Sequence, residues 1–242
     1  WKRLGDLVIG SEVLGPNGEI SKVTGVYDQG MQDFYRVHFN DGTHIDCGLP
    51  HLWKCKGYKQ RFRKTYTSTG KTWDNPEYGQ WTVKSLQEII DEGGHEPVPT
   101  KRHSIPIVED LSYTDRKFPI EPYTLGVLLG DGGIKTGCMI SSADPEIFDL
   151  IDWDYDWNRG IDYFVRGKLD QLREAGIFGK GAEDKFVPDF YKHSNERLAV
   201  LQGLMDTDGY AGPSNCEFVS VSEQLAQDVA DICRSLGIRC RL

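Results

Sequence analysis

The 242-residue sequence has no apolar run of transmembrane length and opens on no secretory leader. The first absence argues against a membrane partner, and the second gives no export address. Six cysteines, at 47, 55, 138, 216, 233 and 240, include no Cys-x-x-Cys pair. A zinc site therefore has no support, and without a leader disulfides are not expected. The thiols read as reduced and mostly buried in a cytoplasmic protein. Positive charge is also short: 28 Lys and Arg face 37 Asp and Glu, a net of −9. Binding to nucleic acid needs cationic surface that displaces counterions, so any such function must rest on a local basic stretch. Asp152, Asp154 and Asp156 alternate with aromatics. The glycine and distal glutamate of a calcium loop are missing, so this is a solvated acidic loop.

The chain does contain a repeated pattern. Leu198, Leu201 and Met205 recur at helical spacing, and the segment stops at Asp208-Gly209. Gly203 sits inside that helix, where glycine costs about 1 kcal/mol against alanine. Close approach of another backbone is the best reason for it. Gly209 is a natural helix stop. Asp208 then stands at a helix C-terminus, whose partial negative charge disfavours a carboxylate and favours a cation. Thr124 to Gly132 shows the same glycine, acid and glycine at Gly126, Asp131 and Gly132. One copy alone is an ordinary capped core helix. The likeness continues downstream, however: Cys138, Ser142, Ile147 and Ile151 match Cys216, Ser220, Leu225 and Val229. Asp144 and Ser222 are N-cap candidates for the next helix in each copy. The unit is helix, hairpin, helix, and it occurs twice.

On these residues the two blocks resemble the paired motifs of the LAGLIDADG homing endonucleases of the kind embedded in inteins, with Arg197 to Gly209 close to the second motif. The resemblance implies two helices packed through Gly126 and Gly203, at the junction of two similar αββα subdomains related by a pseudo-two-fold axis. It implies Asp131 and Asp208 as catalytic, metal-binding acids, Mg2+ as cofactor and double-stranded DNA as partner. The family often places a lysine near each acid, and Lys185 is a candidate; a plain surface lysine is the alternative. The counterpart of Lys185 in the second copy is expected beyond Leu242. The strands at 132–142 and 210–221 would read the major groove, which admits a two-stranded ribbon.

Residues 1–53 read as short strands and tight turns, an all-β module. Phe34 to Phe39 alternates, turns at Asn40-Asp41-Gly42 and returns over Thr43 to Cys47. Gly15 to Gly18 marks another turn. Gly5 to Gly10, Val23 to Tyr27, Tyr35 to Val37, Asp41 to Thr43 and His51-Leu52-Trp53 resemble the first half of an intein splicing (Hint-type) domain. In that family the histidine activates the N-terminal splice junction, which implies His51 in the parent protein; a loop histidine is the alternative. Gly48 stands where the family has threonine. The nucleophile upstream of Trp1 and the C-terminal His-Asn junction are not in the sequence. The expectation is an intein trimmed at both ends, whose parent splices out of host exteins while this chain alone does not.

From Lys54 to Lys84 basic residues exceed acids by six, and Tyr58, Phe62, Tyr66, Trp73, Tyr78 and Trp81 are interleaved. This is either a phosphate-contacting loop, with Arg61, Arg63 and Lys64 as DNA-binding residues, or a solvated surface loop. Ser85 to Glu88 spells a capping box for a helix ending near Gly93. Pro97 to Pro106 is a linker, and Ile105 to Ile107 is expected as a strand. Further helices are expected over 144–152 and Gly167 to Ala175, and a strand over Asp162 to Arg166.

The fold class expected is α+β. A partial Hint-like module spans 1–117, with its basic loop at 54–84. A C-terminally truncated LAGLIDADG endonuclease domain spans 118–242. The function expected is a site-specific DNA endonuclease acting as a monomer, microbial or phage. The alternatives are a cleavage-inactive intein and a DNA-binding protein that keeps the fold.

Overall fold

The computed structural model describes residues 2–15, 19–66, 72–94 and 103–242. The turn at 16–18, Lys71 and most of the linker after Pro97 lie outside these residues. So does the side chain of Lys64. The chain divides into two compact units, one of Trp1–Ser11 with Lys22–Ile107 and one of Glu12–Ser21 with Val108–Leu242. Among the described residues no helix is long and apolar enough to cross a membrane.

The N-terminal part consists of small antiparallel pairs, as the closely spaced turns predict. Strands β1 (Glu12–Leu14) and β2 (Ile20–Lys22) pair, as do β3 (Tyr35–His38) and β4 (His44–Cys47). The β3–β4 turn uses Gly42 at φ 91°, and Asp41 Oδ1 accepts from both the N–H and the hydroxyl of Thr43. His38 and His44 face each other across this ladder, on the exposed side. Strand β5 (Leu52–Cys55) leads into a single turn, α1 (Tyr58–Arg61). Strands β6 (Lys64–Tyr66) and β7 (Thr72–Asp74) follow, and β8 (Thr82–Ser85) returns to pair with β5. The capping box at Ser85 forms as the sequence indicates. Its Oγ accepts from Glu88 N and Glu88 Oε2 accepts from Ser85 N at 2.7 Å, starting α2 (Leu86–Asp91). Cys47, Trp53 and Leu86 make the small core here. Ile105 to Ile107 is not a strand. Only Ser104 bridges, to Lys56, while the two isoleucines stay largely exposed. A β-branched run needs a partner ladder, and Ser104 is where that ladder stops.

The second unit is built around two helices. Helix α3 (Pro122–Asp131) opens with Pro at its first position, where no N–H is needed. The Glu121 carboxylate accepts from the N–H groups of Tyr123 and Thr124. It runs straight into β9 (Gly132–Gly133), which pairs with β10 (Met139–Ser141); α4 (Pro145–Leu150) follows. Strands β11 (Asp156–Arg159) and β12 (Asp162–Phe164) extend this sheet to the order β11-β12-β10-β9. The strand β11 falls partly on the acidic stretch read as a loop. Alternation of Asp with aromatics is the period of a strand, and that signal was there to be read. Helix α5 (Leu169–Glu174) buries Leu172 and stops at Gly176 with φ 77°. A short α6 (Asp189–Lys192) precedes α7 (Arg197–Asp208), then β13 (Gly209–Ala211), β14 (Cys216–Phe218) and α8 (Glu223–Ser235). Helix, hairpin, helix therefore occurs at α3-β9-β10-α4 and again at α7-β13-β14-α8.

The local contacts match as well. Ser142 Oγ accepts from Asp144 N, and Ser220 Oγ accepts from Ser222 N. Asp144 and Ser222 then cap α4 and α8. The paired positions Ile147 and Leu225, and Ile151 and Val229, are all buried. Cys138 is buried, but Cys216 is exposed and all six thiols are free.

The core gathers on α3 and α7. Leu125, Leu128, Val200 and Leu204 have no exposed surface, each contributing about 1.5–3 kcal/mol. Leu198, assigned to the greasy face from its spacing, is 46% exposed. The buried face of α7 runs through Val200, Leu201, Gly203 and Leu204, because that is the face α3 covers. Arg197 is only 1% exposed. Its guanidinium meets Ser194 O, Ser235 Oγ, Leu111 O and the Asp110 carboxylate, so each nitrogen of the buried charge is hydrogen-bonded.

Candidate active site

The glycines inside α3 and α7 are there because the two backbones touch. A Cβ placed on Gly126 would lie 2.9 Å from Gly203 Cα and from Leu204 N, and would overlap Val200 O. A Cβ on Gly203 would lie 2.8 Å from Val127 N and 3.0 Å from Gly126 Cα. A larger residue at either position would force the two backbones apart. The glycines that follow the acids have a different reason from the one expected. Gly132 and Gly209 are extended, with φ −82° and −94°, not left-handed. A side chain there would run into the preceding helical turn, 2.7 Å from Leu128 Cα and Met205 Cα. The chain can thus pass from helix to strand without a connecting loop, which leaves Asp131 and Asp208 as the last helical residues.

The two helix ends converge. A Cβ on Gly130 would overlap the Thr207 side chain and come within 3.4 Å of Asp208 Oδ2. Thr207 Oγ1 turns back to donate to Gly203 O or Leu204 O, both at 3.0 Å. Tyr123 donates to Asp206 Oδ2 across the pair at 2.8 Å. Burial together with this acid holds the Tyr123 phenol well above its ordinary range.

Lys185 is brought to the same place. It is 7% exposed, and its Nζ donates to the carbonyl of Gly130 at 2.6 Å. It is not the plain surface lysine of the alternative reading. Burial raises the Asp131 carboxyl above its ordinary range. Repulsion from Asp208 adds to the rise, and Lys185 opposes it. Asp208 is solvent-accessible, yet protein packed on its other sides also raises it, again against the pull of Lys185. Burial lowers Lys185, while the two acids act to keep it charged. Two carboxylates and one ammonium thus share a partly desolvated site.

These residues fit a hard divalent cation. Oxygen donors at negatively polarised helix ends favour positive charge, and burial leaves both carboxylates poorly solvated. Among the described residues no group of three or more His, Cys, Asp or Glu is placed to hold a metal. The fit is to an ion that takes one or two carboxylates and completes its shell with water and phosphate oxygens, as Mg2+ does.

Candidate residues His51, Arg61 and Arg63 belong to the other compact unit. His51 is an exposed residue just before β5, its ring edge-on to Trp53 at 5.1 Å. Arg63 is exposed, and Arg61 is half-buried with its guanidinium 5.7 Å from the Phe62 ring. Lys56 and Lys54 lie over Trp81 at 4.1 and 6.0 Å. Lys84 is spent on Glu92, so the basic excess of this stretch is smaller in its surface than in its sequence. Tyr210, Val219 and Val221 are exposed on and beside the second hairpin.

Two contacts to the main chain beside Lys185 have no signal in the sequence. Ser222 and Asp228 of α8 both bond the main chain at Lys185 to Val187. Ser222 could be read as a helix cap; nothing local marks Asp228.

Residues 195–242 match the family model of the LAGLIDADG-like domain. The whole chain is 31% identical, over 249 aligned positions, to the replicative DNA helicase DnaB of Mycobacterium intracellulare. It spans about two fifths of that relative's length, 41%.

Proposed function

We propose that this chain is a site-specific DNA endonuclease carried within an intein, and that it makes a double-strand break using the acids at the ends of α3 and α7. The observation that carries this reading is the meeting of Asp131, Asp208 and Lys185 where two glycine-packed helices end. The LAGLIDADG-like match at 195–242 supports it, since it includes Asp208. The repeated helix-hairpin-helix order supports two subdomains about a pseudo-two-fold axis, each presenting one acid to one DNA strand.

Hydrolysis of a phosphodiester needs an activated water and a stabilised leaving oxygen. Bound Mg2+ would supply Lewis-acid stabilisation of that charge and make its coordinated water a better nucleophile. Asp131 and Asp208 would hold it. Lys185, whose charge burial opposes and the two acids favour, offers a donor beside them, placed to orient water or a phosphate oxygen. Strands β9–β10 and β13–β14 start at the acids themselves. A duplex read by these hairpins would therefore lie with its backbone at the helix ends. The basic stretch 54–84 would add phosphate contacts that position without reading sequence.

The N-terminal pairs with His51 support a Hint-like module in the parent protein, which would splice from flanking host sequence. The likeness to a replicative helicase DnaB suggests the coding sequence of such a helicase, without the insert, as the DNA target. The test is incubation of the chain with supercoiled plasmid bearing that uninterrupted sequence. Linear product with magnesium, and none with EDTA or on plasmid lacking the sequence, is expected. Binding without any cutting would favour the fold-retaining DNA-binding protein instead.

A further inference from the structure

We propose that α8 is the mount of Lys185, with Asp228 and Ser222 as positioning residues that fix the lysine's main chain so that its ammonium reaches the acid centre. This rests on the endonuclease reading for its consequence, though not for its geometry.

Lysine is a poor positional device by itself. Its four-carbon stem is flexible, and its ammonium is held only as well as its backbone and its acceptor hold it. Here the acceptor is Gly130 O at 2.6 Å. The backbone is gripped at two points. Ser222 Oγ donates to Lys185 O at 2.6 Å while accepting from Leu225 N at 3.1 Å, which pins the hydroxyl in the N-cap of α8. Asp228 Oδ2 accepts from Val187 N at 2.7 Å. The other oxygen of Asp228 accepts from Lys192 Nζ at 2.7 Å and Gln224 Nε2 at 2.9 Å. Asp228 is 1% exposed and Ser222 is fully buried. A buried carboxylate is retained only where its acceptor capacity is used, and one of its bonds goes to the main chain two residues from Lys185. The same helix begins just after the hairpin β13–β14.

The full chain tests this in two arms. The first uses target plasmid in magnesium under single-turnover conditions. Asp228→Asn should slow cleavage roughly tenfold or more and leave DNA affinity in calcium within about twofold, the signature of an interaction felt only in the reacting complex. Lys185→Met with Asp228→Asn together should be no slower than Lys185→Met alone, because Asp228 acts through the lysine. Ser222→Ala, which keeps every charge and removes one hydroxyl, should slow cleavage less, by roughly threefold, along the same route. The second arm needs no cleavage. Reductive methylation with formaldehyde and borohydride, read by mass spectrometry, should leave Lys185 nearly unmodified in the parent chain. Lys185 should become reactive in Asp228→Asn and in Ser222→Ala, with exposed Lys59 unchanged in all three. Additive slowing in the double variant, or a methylation rate at Lys185 unchanged in both single variants, would overturn the proposal. If the parent chain cuts no DNA, the endonuclease reading fails, and the methylation arm alone decides whether α8 mounts Lys185.

Discussion

Gly126 and Gly203 lie face to face where α3 crosses α7, so that a Cβ on either would come within about 3 Å of the other's Cα. Every other feature of the centre depends on that approach, because it sets how near the two helix ends come. Gly126→Ala or Gly203→Ala gains about 1 kcal/mol of helix propensity. Each forces a methyl against main-chain atoms that cannot rotate away, an overpacking cost of about 1–3 kcal/mol or more. The expected net result is lower stability in urea unfolding and weakened cleavage. Unchanged stability for both variants would mean that the helices can separate freely.

The acids make stability depend on pH in a definite direction. Asp131 and Asp208 bind protons more readily in the folded chain than in the unfolded one. Folding is therefore coupled to proton uptake just above the ordinary carboxylate range, and stability falls as pH rises through it. Asp131→Asn should thus raise the Tm of the metal-free protein at neutral pH, with the gain shrinking on acidification to where both states are protonated. A gain that grows on acidification would contradict this.

Magnesium should act on the same groups. If the two carboxylates hold it, it stabilises the folded chain by mass action. The Tm of the parent chain should rise with added Mg2+ at neutral pH, and that of the Asp131→Asn, Asp208→Asn double variant should not. Equal shifts in both proteins would place the ion elsewhere.

The basic stretch gives a prediction about salt. Replacing Arg61, Arg63 and Lys64 by alanine should weaken binding to target and random DNA alike. It should also flatten log K against log salt by up to about 0.9 per lost phosphate contact. An unchanged slope would make 54–84 an ordinary surface loop.

The parts of this site that could be read from the sequence were those with local causes. Glycine within an apolar helix and an acid before glycine are short-range patterns, and their recurrence marked Asp131, Asp208, Gly126 and Gly203 together. The caps at Ser85, Asp144 and Ser222 were legible for the same reason. Leu198 was misassigned because spacing shows that a stripe exists but not which side a neighbouring helix covers. The reason for Gly132 and Gly209 was missed because a glycine demanded by crowding looks the same as one demanded by a positive φ. Lys185 could be named only as a candidate, since its placement rests on its own bonds to Gly130 and Ser222 and on the bond of Val187 to Asp228, residues 37 to 55 positions from Lys185. No local pattern encodes contacts of that range.

The most direct measurement is cleavage of target-bearing plasmid in magnesium by the parent chain, Asp131→Asn and Asp208→Asn, beside DNA affinity in calcium. Asparagine keeps the shape of each helix end and removes the charge that would hold the cation. Loss of several kcal/mol of transition-state stabilisation corresponds to a rate reduced about a hundredfold or more. The account predicts linear product from the parent chain and at least that loss in each variant, with affinity preserved and thermal stability not reduced. Near-normal cleavage by either variant would contradict it.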